Sequence, residues 1–345
     1  MAERVLTERE LNRALLARQL LLERASMPLT KAVERVGGLQ TQNAPQGYIS
    51  LWSRLEGFAR DDLTRSLEAR SLVQGTLMRS TIHTVTAADY PLIVAGVRAA
   101  RRESWIRGHR RAIPAETVAE AASRARPLLS QPRGRRELMA ELGVDNVMWN
   151  GIGLWTDILR APPAGTWERR RADIYVAADA WIDLPEHDPE DGLEHLLRRH
   201  LGGFGPAALR DIADWAGVPP ATLAPIVERV RVRRFRDERG TELLDLPRAP
   251  LPDPQTPAPV RFLPTWDATL LVHARRTQIL PERFRPRVFS TRTPQSVPTF
   301  LVDGQVAGTW KHERGRVTTE PFEPLPAAAR RDVAAEADRL AEFMA

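Results

Sequence analysis

The 345-residue chain has no cysteine, which excludes a disulfide framework, a thiolate metal site and a cysteine nucleophile together. Lysine is nearly absent: of 50 basic residues only Lys31 and Lys311 are not arginine. No run of eighteen apolar residues occurs, and the start, MAERVLTERE, is charged where a secretory leader would carry an apolar core. The expectation is a cytoplasmic protein with no membrane association. The common catalytic signatures are missing as well. There is no His-Glu-x-x-His, Gly-x-Ser-x-Gly, Gly-x-x-x-x-Gly-Lys or strand-following Gly-x-Gly-x-x-Gly. His187, His195 and His200 do not share one helical face, so they read as solvated helix residues and no metal is expected. Asp188, Glu190 and Asp191 read as surface charge in a first helical turn.

What is present is a basic balance, net charge +6 and pI near 10.4, which makes nucleic acid the first partner to consider. A GC-rich genome raises arginine without selection for binding, yet the planar guanidinium fork also suits phosphate. The densest cluster surrounds Trp105: Arg101, Arg102, Arg107, His109, Arg110 and Arg111. Such density is self-repulsive unless something negative offsets it, and phosphate contact is expected there.

The patterning predicts an α+β chain. Thr7 and Glu10 form a capping box ahead of a helix to about Ala25, and a second helix from Leu29 should stop at Gly37-Gly38. A helix holding Trp52 and Leu55, another over 61–71, and strands over 73–78 and 81–85 complete the order of a winged helix. The order returns as helices over 205–217 and 219–230 with strands over 232–235 and 242–246. Between them, 116–129, 134–142 and 147–159 read as helices and 165–176 as paired strands, so a third unit is plausible. Repeated prolines over 247–259 make a connector. Strands over 260–263, 299–302, 305–310 and 316–319 follow, with Asp303-Gly304 as a hairpin turn and a helix over 326–344. The expected units are 1–112, 113–246 and 247–345.

The distinctive segment is Leu39 to Leu55, LQTQNAPQGYISLWSRL. A Gln-x-Gln pair is weak on its own, since ten glutamines give about 0.3 such pairs by chance. Here Gln40 and Gln42 follow a double glycine at a helix end and precede an aromatic and apolar stretch, a setting that can hold two amides rigidly at a concave surface. Capping of the preceding helix is the competing role for them.

Gly38-Leu39-Gln40-Thr41-Gln42, Tyr48 and Leu51-Trp52-Ser53-Arg54-Leu55 resemble the winged-helix DNA glycosylases of the AlkZ/YcaQ-like family, which includes azinomycin-resistance enzymes. Further matches are Arg79-Ser80-Thr81-Ile82-His83, Leu263-Pro264-Thr265-Trp266-Asp267, Val302-Asp303-Gly304 and Gly308-Thr309-Trp310. Thr41 stands where this family often has an aliphatic residue. The resemblance implies three tandem winged helices in a C-shaped body gripping double-stranded damaged DNA, with a mixed C-terminal hairpin and helix part.

It also implies a monofunctional glycosylase, with no cofactor, that hydrolyses N7-alkylguanine. Bulky natural-product adducts and interstrand crosslinks are in scope, in DNA repair and antibiotic self-resistance. Gln42 is expected to position water, with Gln40 as its partner. The expected DNA contacts are Arg54, Arg79, His83, Arg107 and Arg110, and the hairpin tip with Lys311, His312, Arg314 and Arg316. For His83, buried structural hydrogen bonding is an equal alternative. A nucleoid-associated monomer is expected, since no zipper helix is apparent. The competing class is a non-catalytic winged-helix regulator or damage-binding protein.

Overall fold

The computed structural model describes residues 4–109, 111–274, 276–289 and 296–345. A short strand β1 (Val5–Leu6) leads into α1 (Glu8–Arg18), where Thr7 and Glu10 form the expected capping box. The first winged helix consists of α2 (Leu29–Arg35), β2 (Leu39–Gln40), α3 (Ala44–Arg54), α4 (Arg60–Glu68), β3 (Leu72–Thr76) and β4 (Ile82–Thr86). A 20-residue helix, α5 (Tyr90–His109), follows. The second unit is α6 (Ala115–Leu128), β5 (Arg133–Gly134), α7 (Arg135–Leu142), α8 (Asn146–Trp155), β6 (Ile158–Arg160) and β7 (Ile174–Ala177). After the single turn α9 (Ala178–Trp181), the third unit is α10 (Pro189–Phe204), α11 (Leu209–Ala216), α12 (Pro220–Arg229), β8 (Arg233–Asp237) and β9 (Glu242–Asp245). The C-terminal part contains β10 (Arg261–Leu263), α13 (Arg285–Val288), β11 (Thr299–Val302), β12 (Gln305–Glu313), β13 (Arg316–Pro321) and α14 (Ala327–Met344). Among the described residues no helix is long and apolar enough to cross a membrane.

All three units repeat one plan. In the first two, the early short strand pairs with the last strand of the wing, giving the orders β2-β4-β3 and β5-β7-β6. These halves fuse edge to edge through the antiparallel pairing of β3 with β6, Gln74 opposite Arg160 and Gly75 opposite Leu159, into one six-stranded sheet. Joining the wings this way hides two strand edges that would otherwise be open to other chains. In the third unit Ala207 bridges Leu244 on β9, and β1 lies parallel on β8. The ladders therefore run across residue 112 and tie the N-terminus to the third unit.

Local departures from the sequence pattern have local causes. The helix expected over 147–159 ends at Trp155 because Asp157 takes a left-handed φ of 50°, and the chain leaves as β6. Of the strands expected over 165–176 only Ile174–Ala177 forms. The residues before it turn back on themselves, with Gly165 at a φ of 80° and its amide bonded to the Arg169 carbonyl at 2.8 Å. Helix α5 was hidden because Tyr90, Pro91 and Ile93 to Val97 are all buried. That first half of the helix, enclosed on every side, shows no amphipathic period.

Helices α5 and α10 pack at van der Waals contact through Gly96 and Gly192. A Cβ on Gly192 would lie 2.3 Å from the Gly96 backbone nitrogen. Alanine in a helix interior normally outranks glycine by about 1 kcal/mol. Here the sign should invert, and Gly192→Ala should destabilise the protein by about 3 kcal/mol. Denaturant unfolding measures this; a neutral or stabilised variant would mean the two helices separate at no cost.

Candidate active site and nucleic-acid interface

Backbone alternation explains the Gln-x-Gln spacing. On β2, Leu39 pairs with Thr84 and Gln40 with His83, and the Thr41 amide donates to the Ile82 carbonyl at 2.8 Å. Successive side chains of an extended segment point to opposite faces. Leu39 and Thr41 are buried, whereas Gln40 and Gln42 are half-buried. The Thr41 hydroxyl bonds that of Thr84 at 3.0 Å, and Gln74 Nε2 donates to Thr84 Oγ1 at 3.3 Å. A threonine between the glutamines therefore has a polar partner inside the sheet.

The two glutamines differ in commitment. Gln40 Oε1 accepts from Arg79 Nη2 at 2.7 Å, while Arg79 Nη1 donates to the Trp215 carbonyl at the end of α11 at 3.0 Å. The side chain of Gln42 has no partner among the described residues. Immediately after it, α3 begins. Gln46 fixes that first turn by accepting from the Asn43 amide at 3.0 Å and donating to Thr265 Oγ1 at 2.8 Å.

Arg79 sits at the tip of the β3–β4 wing in a left-handed conformation, φ 53° and ψ 22°, followed by Ser80 at φ 55°. Two consecutive non-glycine residues there are strained, a cost that persists where surrounding contacts enforce it. Burial pushes the Arg79 guanidinium down to about 10, so it stays cationic at neutral pH. Burial, with Arg79 nearby, pushes His83 down to about 3, and its Nδ1 lies 3.1 Å from the Thr81 carbonyl. His83 is thus a neutral, buried ring, which matches the structural alternative and not a cationic phosphate contact.

Arg54, expected among the DNA contacts, points inward. It is 1% exposed and grips Asp267 with both terminal nitrogens, Nη1 to Oδ2 at 3.0 Å and Nη2 to Oδ1 at 2.9 Å. Nη1 also donates to Ser50 and Nη2 to Gln19 Oε1. The pocket between this pair and Gln40 holds only about 10 Å³, too small for any part of a substrate. A ligand must approach the glutamines from their exposed side. Burial raises the Asp267 carboxyl, but the Arg54 charge and hydrogen bonds outweigh it and hold it below the usual carboxylate range.

The arginine cluster around Trp105 is dispersed by the fold. Arg101 is buried beside Asp157, Arg102 donates to the Leu154 and Trp155 carbonyls, and Arg107 is exposed and pairs with Glu103 at 2.7 Å. Arg110 lies outside the described residues. The β12–β13 hairpin projects as expected, with Lys311, Arg314 and Arg316 exposed and His312 half-buried. His200, read from sequence as solvated, is fully buried between Phe204 and Trp215; burial drives its ring well below the usual histidine value. The sequence reading missed Arg79's role as a partner of Gln40, because only wing pairing brings residues 39 apart together. Among the described residues no cluster of three or more metal-ligating side chains occurs.

The chain matches the AlkZ-like family, described as DNA glycosylase AlkZ-like, over residues 33–343. Among solved structures it is similar to Streptomyces sahachiroi DNA glycosylase AlkZ, at 19% identity and a TM-score of 0.81, covering 98% of this chain and 97% of that one. No curated protein matches it.

Removing one partner of a buried ion pair costs about 3–5 kcal/mol, so Asp267→Asn should lower unfolding stability by that order. Because the folded carboxyl is depressed, the pair's contribution is intact at neutral pH and fades as pH falls below about 4. Chemical denaturation of wild type and variant between pH 3 and 7 checks this: the gap between the two should narrow toward the acid end.

Proposed function

The chain belongs to the AlkZ-like DNA glycosylase family and is a DNA glycosylase, and from that premise we propose that it is monofunctional and hydrolyses the N-glycosidic bond of N7-alkylguanine in duplex DNA. Bulky adducts and crosslinks fall within its range, because the glutamines are reached from an open side. The observation that carries the reading is the uncommitted, half-exposed Gln42 amide beside Gln40, whose oxygen is held by Arg79.

N7 alkylation makes the base cationic before catalysis begins. The C1′–N9 bond breaks with its electron pair leaving on the base, which departs neutral and needs no general acid. The remaining oxocarbenium-like sugar needs a neighbouring dipole and a placed water. Gln42 Oε1 is a neutral acceptor that does both: it orients the water, and its negative end faces the developing charge. The water oxygen bonds C1′ and its spare proton passes to solvent. Gln40 and Arg79 set the backbone and side-chain geometry of the strand that carries Gln42, and Arg79 is available to a phosphate when DNA displaces Gln40 from it. No carboxylate bonds either glutamine among the described residues. The two lysines lie elsewhere, Lys31 on α2 and Lys311 on β12, so hydrolysis is favoured over Schiff-base chemistry. The exposed cationic tip of the β12–β13 hairpin suits a DNA groove.

Single-turnover excision from a duplex with one N7-methylguanine tests the assignment. Gln42→Ala should slow release by roughly 100-fold, as loss of one preorganised dipole does, while DNA affinity falls by no more than about tenfold, the upper end for a lost neutral contact. Full activity in Gln42→Ala, or none in wild type on methyl and bulky adducts alike, would sink it.

The pH profile is a second check. With His83 neutral above about 3 and Arg79 cationic below about 10, the excision rate should stay flat between pH 6 and 8.5. A bell-shaped profile would implicate a titrating acid or base instead.

A further inference from the structure

On the opposite face of the sheet from Gln40, a cleft of about 560 Å³ opens where the first and second winged helices meet. Its floor is strand residues: Thr76 and Ile82 from the first wing, Arg160 and Tyr175 from the second. One wall is the end of α5, with Arg101, Trp105 and His109; the other is α8 and the start of α7, with Trp149, Asn150 and Arg135. Ile82 lines the cleft and its carbonyl accepts the Thr41 amide, so only one strand separates the cleft from the Gln-x-Gln segment.

Its chemistry is one-sided. Three arginines line it and no carboxylate does. Arg101 is 3% exposed, yet its Nε and Nη2 have no hydrogen-bond partner, and its nearest acid, Asp157, is 3.5 Å away. Arg135 bonds only the neutral Asn146 Oδ1, at 2.8 Å, and its buried Nε is also unpaired. Arg101 Nη1 donates to the Thr76 carbonyl and its ion pair with Asp157 is long, so Asp157 neutralises the converging guanidinium groups only in part, and the remaining charge is costly unless an anion offsets it. Between them stand flat surfaces. Trp149 meets the half-buried Tyr175 edge-on, at 5.4 Å and 76°, and both rings line the cleft. Trp105 and His109 are stacked at 4.5 Å. The Asn150 amide adds a donor and an acceptor of the kind that reads a base edge.

We infer that this cleft holds one nucleotide displaced from the DNA stack beside the lesion, its base against Tyr175 and its phosphate among Arg101, Arg135 and Arg160. The inference rests on the reading that the chain binds damaged DNA. The occupant is not the nucleotide undergoing excision, because Gln40 and His83 face the other side of the sheet. Taking up a neighbouring or opposite nucleotide would hold the duplex open while the damaged one stays at the glutamines. Cations together with aromatic faces are the pairing used to hold unstacked nucleotides, and the arginines favour a nucleotide over an uncharged adduct tail.

Photocrosslinking locates the occupant. The full-length protein is bound to duplexes that carry a tetrahydrofuran abasic analogue in one strand and 5-iodouracil opposite it or at either flank. After irradiation, crosslinked peptides are identified by mass spectrometry. One of these positions should crosslink to Tyr175, Trp149 or Trp105. Tyr175→Ala should abolish that crosslink and weaken affinity for this duplex roughly tenfold relative to intact duplex, a typical loss for one base–aromatic stack. Tyr175→Phe keeps the ring and should retain both. Melting curves identify any variant that fails to fold, and the wild-type crosslink map then decides alone. Bound DNA that crosslinks only outside the cleft, or Tyr175→Ala indistinguishable from wild type while folded, would overturn the inference. Excision of N7-methylguanine is measured on the same preparations. Activity without the cleft crosslink removes this inference alone, whereas the crosslink without activity removes the assigned lesion and leaves the cleft.

Discussion

The bidentate pair of Arg54 with Asp267 is the tie on which the arrangement around the glutamines depends. It joins the end of α3 to the segment after β10, and through Gln19 it reaches α1. Two charges taken wholly out of water need good mutual geometry and further hydrogen bonds to offset their lost hydration. Here Ser50, Gln19 and Thr269 supply most of those bonds. The consequence is geometric: α3 cannot tilt without breaking charge-assisted bonds, so the segment leading into it, Gln40 to Asn43, is held against the wing. The same device recurs on α1, where Arg18 grips Asp245 of the third unit and Arg13 reaches Asp303 in the C-terminal hairpin. Helix α1 carries little chemistry of its own, yet its buried polar edge touches the parts of the chain most distant in sequence.

Repetition of one small unit creates surfaces that a single unit lacks. Fusing two wings through β3 and β6 produces a sheet whose two faces differ in chemistry near one end. One presents Gln40 and His83; the other floors the arginine and aromatic cleft. The third unit contributes through contact: the Trp215 carbonyl at the end of α11 fixes Arg79, and Arg79 in turn fixes Gln40. An amide held by a cation and an amide left free are different chemical tools, although the sequence writes both as glutamine.

Much of the arginine in this chain is architectural. Arg13, Arg18 and Arg54 are among the largest fully buried side chains, so a positive balance read from composition overstates the charge available to DNA. The exposed hairpin tip, by contrast, has the projecting geometry its turn residues imply.

Sequence alone determined what is local. Capping at Thr7, the stop at Gly37-Gly38, the Asp303-Gly304 hairpin and the order of helix and strand in the first and third units follow from backbone preferences and short-range periodicity. The Gln-x-Gln segment stood out by its setting between a double glycine and an aromatic, apolar stretch, whereas the shared face of its two amides follows from the pairing of β2 with β4. Tertiary structure decided what depends on distant partners. Whether Arg54 meets phosphate or Asp267, whether His200 is wet or enclosed, and whether Gln40 is free or held by Arg79 all turn on which residues the fold brings alongside. The first half of α5 was invisible for the same reason, since burial on every side erases the pattern that marks a helix at a surface. A side chain's local preference is written in its neighbours along the chain, but its charge state and its role are set by its neighbours in space.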